Sequence, residues 1–213
     1  MTDENKPNDT SGDAAEHKEK MEALRQEQAA KVKSKTEDRG IVLVNTGDGK
    51  GKSTAGFGLA MRAAGCGQRV GVVQFIKGTW KTGEAEALKR FPEIRHVVSG
   101  EGFTWNTQDK SKDIAAVRRG WDIALEMIEA SRGETPEYSL IVLDELNIAL
   151  SYGYLPVSEV LDALRNKPRE LSICITGRGA PRELIEAADT VTEMKPIKHA
   201  FDAGIRARRG IEF

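Results

Sequence analysis

The residues best suited to chemistry form one run, Thr46-Gly47-Asp48-Gly49-Lys50-Gly51-Lys52-Ser53-Thr54. Glycines at alternate positions let a turn aim its backbone N–H groups inward. A helix opening at the end of the turn adds a partial positive charge, and together they cradle phosphate oxygens. Lys52 supplies a point charge for the outer phosphates. The Ser53 hydroxyl suits Mg²⁺ or Mn²⁺, with Thr54 as its neighbour. Gly47, Asp48, Gly49, Lys50 and Gly51 complete the nucleotide-binding set. The general pattern GxxxxGK[ST] has Gly where Thr46 stands, and Gly47, Gly49 and Gly51 must make the turn without it. The plainer alternative is a Gly/Lys-rich surface turn. An apolar strand before the run and a helical pattern after it argue against that.

Two further signals fall at the ends of apolar runs. LIVLDE ends in Asp144 and Glu145. Carboxylates at a strand tip near a phosphate loop ligate or orient Mg²⁺, or activate a nucleophile. Glu145 is expected nearest the metal, with Asp144 in support. Thr176-Gly177-Arg178-Gly179 follows the run LSICIT, and Arg178 suits a bidentate phosphate clamp. Its alternative is a turn with a solvated arginine. These residues predict a Mg²⁺–nucleoside triphosphate site without saying which bond is attacked, so kinase and hydrolase remain open. Phe103 and Trp105, at i and i+2, read on spacing alone as one face of a core strand.

The elements that must position these groups alternate. The short β-branched run at 41–45 reads as a strand buried on both faces of a parallel sheet, and the runs at 69–75, 94–98, 138–145, 171–176 and 190–194 read as further strands. Helical patterns occupy Ser53–Ala64, Glu84–Arg90, Lys112–Ser131, Val157–Asn166 and Arg182–Ala188. Ile114, Val117, Trp121, Leu125 and Ile128 form the apolar stripe of the longest. The alternation predicts an α/β fold: a three-layer, RecA-like nucleotide-binding domain with a mostly parallel sheet. Ligands in such sheets sit outside the carboxyl ends of the strands. Residues 99–110 form a polar, Gly-containing loop. Residues 1–20 hold no Val, Ile, Leu, Phe, Trp or Tyr, and disorder is expected there. Residues 14–35 are helix formers with a thin stripe of Met21, Leu24 and Val32. The division is thus an N-terminal arm or lid, 1–39, and a domain, 40–213.

Composition narrows the classes. The chain has 213 residues, 39% of them apolar and 31% charged, with a net charge of −1. That balance disfavours a nucleic-acid-coating protein. Cys66 and Cys174 are the two cysteines, too few and too distant for a disulfide framework or zinc site. No run approaches the ~18 apolar residues of a membrane helix. The N-terminus lacks secretory character. A soluble, cytoplasmic protein is expected.

Several segments together resemble one family. GDGKGKST, RVGVVQFIKGTWKTGE (69–84), GFTWNTQ (102–108), VLDELNIALSYGYLP (142–156), TGRG (176–179) and KPIKHAFDAGIRARRGIEF (195–213) are similar, in this order, to the P-loop type of ATP:corrinoid adenosyltransferase, the CobA/CobO/BtuR family. The resemblance implies ATP and a cob(I) corrinoid as substrates. It implies displacement of triphosphate from the ribose C5′ by cobalt. Lys52 and the loop would then neutralise a leaving triphosphate. Phe103 and Trp105 match family residues that pack beneath the corrin and displace its lower axial ligand, which reverses the core-strand reading. Trp80 is expected to pack at the site rim. His199 lacks the Asp of a cobalt-binding DxHxxG motif, since Ile197 stands there, and is expected to be structural. His17 and His96 are expected to be ordinary surface or core residues. The resemblance also implies a homodimer, an electron-donating reductase or flavodoxin-like partner, and an N-terminal helix that folds over the corrinoid.

Overall fold

A computed structural model describes residues 10–76, 82–100 and 110–212. It divides into two units, Met1–Asp38 and Arg39–Phe213. In the first, helix α1 runs Thr10–Lys33. Disorder was expected through residue 20, but the helix starts ten residues earlier. Ala14, Glu16, Glu19 and Lys20 are strong helix formers and need no tertiary contact to favour this backbone. Met21, Leu24 and Val32 are exposed on it.

The second unit follows the expected alternation. Its elements are β1 (Val42–Thr46), α2 (Lys52–Gly65), β2 (Val70–Gln74), α3 (Gly83–Leu88), β3 (Ile94–Val98), α4 (Lys110–Glu129), β4 (Leu140–Asp144), α5 (Leu146–Ser151), α6 (Val157–Arg165), β5 (Ser172–Thr176), α7 (Arg182–Ala187) and β6 (Thr190–Glu193). A short 3₁₀ turn, Phe201–Ala203, follows. The six strands form one sheet in the order β3-β2-β4-β5-β1-β6. Every pairing is parallel. Parallel neighbours need crossovers, which the helices supply.

Alternation along the strands sends side chains to two cores. On one face Val70, Val72, Leu140, Val142 and Cys174 pack with Phe57 and Ala60 of α2 and with Leu88 of α3. On the other, Val44, Val73, Ile141, Leu143, Ile173 and Ile175 pack with Trp121 and Met127 of α4, Leu146 of α5 and Val160 of α6. Helices on both faces explain why β2 and β4 are buried along their whole length. On α4 the buried stripe is Val117, Trp121, Ala124 and Ile128, and Leu125 is 40% exposed. Expecting Leu125 inside was wrong because the helix comes close to the sheet. A Cβ on Gly71 of β2 would lie 2.5 Å from the Met127 sulfur, and the fully buried position of the stripe between Trp121 and Ile128 is taken by Ala124. Among the described residues no helix is long and apolar enough to cross a membrane.

The carboxyl ends of four central strands meet at one edge. They carry Gln74, Asp144, Thr176 and Thr46, the last followed by the glycine loop. β5 lies between the strand of the loop and the strand of the acidic pair.

Candidate active site

The loop leaves β1 at Thr46 and enters α2 at Lys52. Gly47 and Gly51 have φ of 90° and 110°, a left-handed backbone that glycine adopts without strain. No side chain caps α2, and its first turn holds no acidic residue. Its N-terminal amides and dipole therefore favour an anion. Lys52 is 7% exposed, and its ammonium donates to the Gly49 carbonyl at 2.5 Å. Burial, and then the positive charge of Arg178, lower its pKa from the ordinary lysine value, while Glu145 and Asp48 work in the opposite sense. A lysine held this way gains from a polyanion, which offsets both penalties.

Around this loop the other predicted residues gather. Arg178 is exposed and faces Asp48 at 3.9 Å. Lys50 is paired with Glu212 of the C-terminal segment. Thr54, exposed on α2, lines a cavity of about 330 Å³ with Phe57, Met61, Gly83, Leu88 and Ile211. Ser53, in the first turn of α2, is half-buried. Asp144 is fully buried. Its Oδ1 accepts from the Thr176 hydroxyl at 2.7 Å and its Oδ2 from the Gln74 amide at 2.8 Å. Glu145 has φ 64°, the one positive φ at a non-glycine residue among those described. Its N–H donates to Thr176 Oγ1 at 3.1 Å. Phe103, Trp105 and Trp80 lie outside the described residues.

A family model described as ATP:corrinoid adenosyltransferase BtuR/CobO/CobP matches residues 38–213. The chain belongs to this family. It is 48% identical over 198 residues to a corrinoid adenosyltransferase of Pseudomonas aeruginosa, covering 92% of this chain and 95% of that protein. It is 44% identical over 197 residues to one from Escherichia coli, covering 92% and 97%. It is 43% identical to the corrinoid adenosyltransferase CobA of Salmonella typhimurium over 197 residues, with the same coverage.

Sequence reasoning missed the buttress of this family member's phosphate loop. Gly49 N–H donates to the Met194 carbonyl at 2.6 Å, and Met194 N–H to the Thr46 carbonyl at 2.9 Å. A Cβ on Gly47 would lie 2.5 Å from the Met194 oxygen, and one on Gly49 2.8 Å from the same backbone. These glycines therefore admit the chain leaving β6 as well as an anion. Thr46, where the general pattern has Gly, accepts from Ala180 N–H at 3.2 Å and so ties the loop to the segment after β5. No residue spacing announces either contact. His96 was expected to be ordinary, yet its Nε2 lies 2.7 Å from Gln74 Oε1. Burial lowers its pKa from the usual histidine value, against the pull of Asp144. His199 Nδ1 accepts from Phe201 N–H at 3.1 Å.

Proposed function

We propose that the chain transfers the 5′-deoxyadenosyl group of ATP to the Co(I) centre of a corrinoid, in adenosylcobalamin biosynthesis or salvage. The Co(I) lone pair forms the Co–C5′ bond. The C5′–O5′ bond breaks, and its electron pair leaves on inorganic triphosphate. No proton moves at the reacting atoms, so no side chain need act as a base. The loop amides, Lys52 and Arg178 bind the triphosphate and stabilise the charge that develops on the leaving oxygen. Holding ATP so that C5′ faces cobalt contributes by proximity. Phe103 and Trp105 are assigned the apolar surface beneath the corrin, excluding water and the lower axial ligand.

The donor set fits Mg²⁺. Ser53 and Glu145 offer hard oxygen atoms, and the Glu145 carboxylate is near enough to act electrostatically on Lys52. Among the described residues no group of three or more His, Cys, Asp or Glu could hold a metal by itself. That suits an ion whose shell is completed by phosphate oxygens and water. Ser53 and Glu145 would hold it, with Asp144 behind Glu145. When bound, Mg²⁺ supplies charge neutralisation for the triphosphate. Two copies of the chain, the arm 1–39 as a lid and a separate electron donor complete the proposal.

The observation that carries it is the family match across residues 38–213. The test is product analysis with Mg-ATP and a corrinoid reduced to Co(I). An adenosylcorrinoid and triphosphate in equal amounts are expected. ADP or orthophosphate as the stoichiometric product would refute it in favour of an ordinary kinase or hydrolase.

A further inference from the structure

Gln74 and His96 carry none of the binding roles assigned above, yet they complete a chain of hydrogen bonds across four adjacent strands, reaching the strand ends from His96 in the middle of β3. It runs His96 (β3), Gln74 (β2), Asp144 (β4), Thr176 (β5), with distances of 2.7, 2.8 and 2.7 Å. With Asp144 as a carboxylate, which can only accept, its direction follows from donor counting. Thr176 Oγ1 accepts the Glu145 N–H, so its own proton goes to Asp144 Oδ1. The Gln74 amide nitrogen can only donate, so Asp144 Oδ2 also accepts. Gln74 Oε1 is then the acceptor on its far side, and His96 must carry its proton on Nε2. Every member has one orientation. Both Asp144 oxygens are thereby committed inside the protein.

What this chain holds is the Asp144–Glu145 corner. Glu145 sits in a left-handed conformation, with φ 64°, that is strained for a non-glycine residue. Such a conformation persists only where neighbours over-determine it. Thr176 grips the Glu145 amide from one side. Gln74, backed by His96, fixes the Asp144 carboxylate from the other.

We infer that Gln74 and His96 are positioning residues that aim Glu145 at the metal ion of the bound triphosphate. This inference rests on the reading of the site given above. Without the Gln74 donor, a buried carboxylate oxygen loses its partner and the corner relaxes. His96 acts one step further back, holding the Gln74 amide against rotation.

The test is Mn²⁺ binding to the full chain saturated with ATP, followed by electron paramagnetic resonance, for wild type, Gln74→Met, His96→Phe and His96→Gln. Unfolding temperatures are measured alongside. Gln74→Met should weaken Mn²⁺ about tenfold or more, with metal-free ATP affinity within about twofold of wild type. His96→Phe should weaken it less, and His96→Gln, which keeps a donor near the lost Nε2, should recover most of the loss. A Gln74→Met chain of lowered stability but wild-type Mn²⁺ affinity would overturn the inference, because the network would then serve the fold alone. If Gln74→Met does not fold, the His96 pair decides, and wild-type affinity in His96→Phe overturns it. Should wild type itself bind no Mn²⁺ with ATP, the reading of the site fails and takes this inference with it. Binding in wild type and equally in the variants sinks the inference alone.

Discussion

Asp189 offers a quantitative test of what holds the strand of the phosphate loop in place. It lies just before β6 and accepts from both ends of the Arg39 guanidinium, at 2.5 and 3.0 Å. It also accepts from the Val42 N–H at the start of β1, at 2.8 Å. The Arg39 guanidinium, then the Val42 amide, hold its carboxyl at about 2, against an ordinary 3.8. That difference corresponds to at most about 2.4 kcal/mol at ~1.36 kcal/mol per pKa unit. The Arg39 side chain is over a third exposed, and solvent screening brings the expected contribution to about 1 kcal/mol. The sign is that of a depressed acid: the stability is present above pH 3.8 and is lost as the pH falls towards 2. Asp189→Asn keeps the shape and an acceptor but removes the charge. Thermal unfolding at pH 7 should drop by about 2–4 °C, and the gap should narrow by roughly half by pH 3 and close only towards pH 2. Asp189 lies at the opposite end of the sheet from the phosphate loop, so kcat at 25 °C should not change. Equal melting at pH 7, or a gap that persists unchanged in acid, would refute the reasoning.

Other perturbations reach the site directly. Lys52→Ala should cost adenosyl transfer a factor of about 10² to 10³ or more, with corrinoid binding, followed by its absorbance, retained. Trp105→Ala should slow transfer most when Co(II) corrinoid must be reduced on the protein and far less when Co(I) is supplied, as stopped-flow absorbance would resolve. Gly49→Ala places a Cβ 2.8 Å from the Met194 backbone. The loop must shift, and calorimetry should find ATP affinity reduced about tenfold or more, as expected for an overpacking cost of about 1–3 kcal/mol. Glu212→Gln releases Lys50 from its ion pair. ATP should then bind up to about fivefold more tightly at low salt, an exposed pair being worth about 0.2–1 kcal/mol, with the gain fading as salt is raised.

What the sequence made legible divides along physical lines. Strands β1, β2, β4 and β5 were readable because burial on both faces writes a nearly unbroken apolar run, as in LIVLD and SICIT, whereas the edge strands β3 and β6, which are not buried, were readable from their β-branched residues alone. The loop was readable because phosphate cradling needs backbone freedom and a cation within a few consecutive residues. Helix α5 was missed: it has six residues, includes Asn147 and Ser151, and is launched by the left-handed Glu145 rather than by any capping residue. Leu125 was misplaced because periodicity names a helix face without telling how near the sheet lies. The Met194 buttress and the His96–Gln74–Asp144–Thr176 chain were invisible for a different reason. Their partners lie 22 to about 150 residues apart, and they meet only because parallel pairing sets the strands side by side in an order that is not the order of the chain. A strand end written as Gln or Thr carries no local signal, since either suits solvent as well as a neighbour. Chemistry confined to one loop can therefore be read from spacing, whereas the aim of a carboxylate depends on strand order. The residues that set that aim emerge only once the order β3-β2-β4-β5-β1-β6 is known.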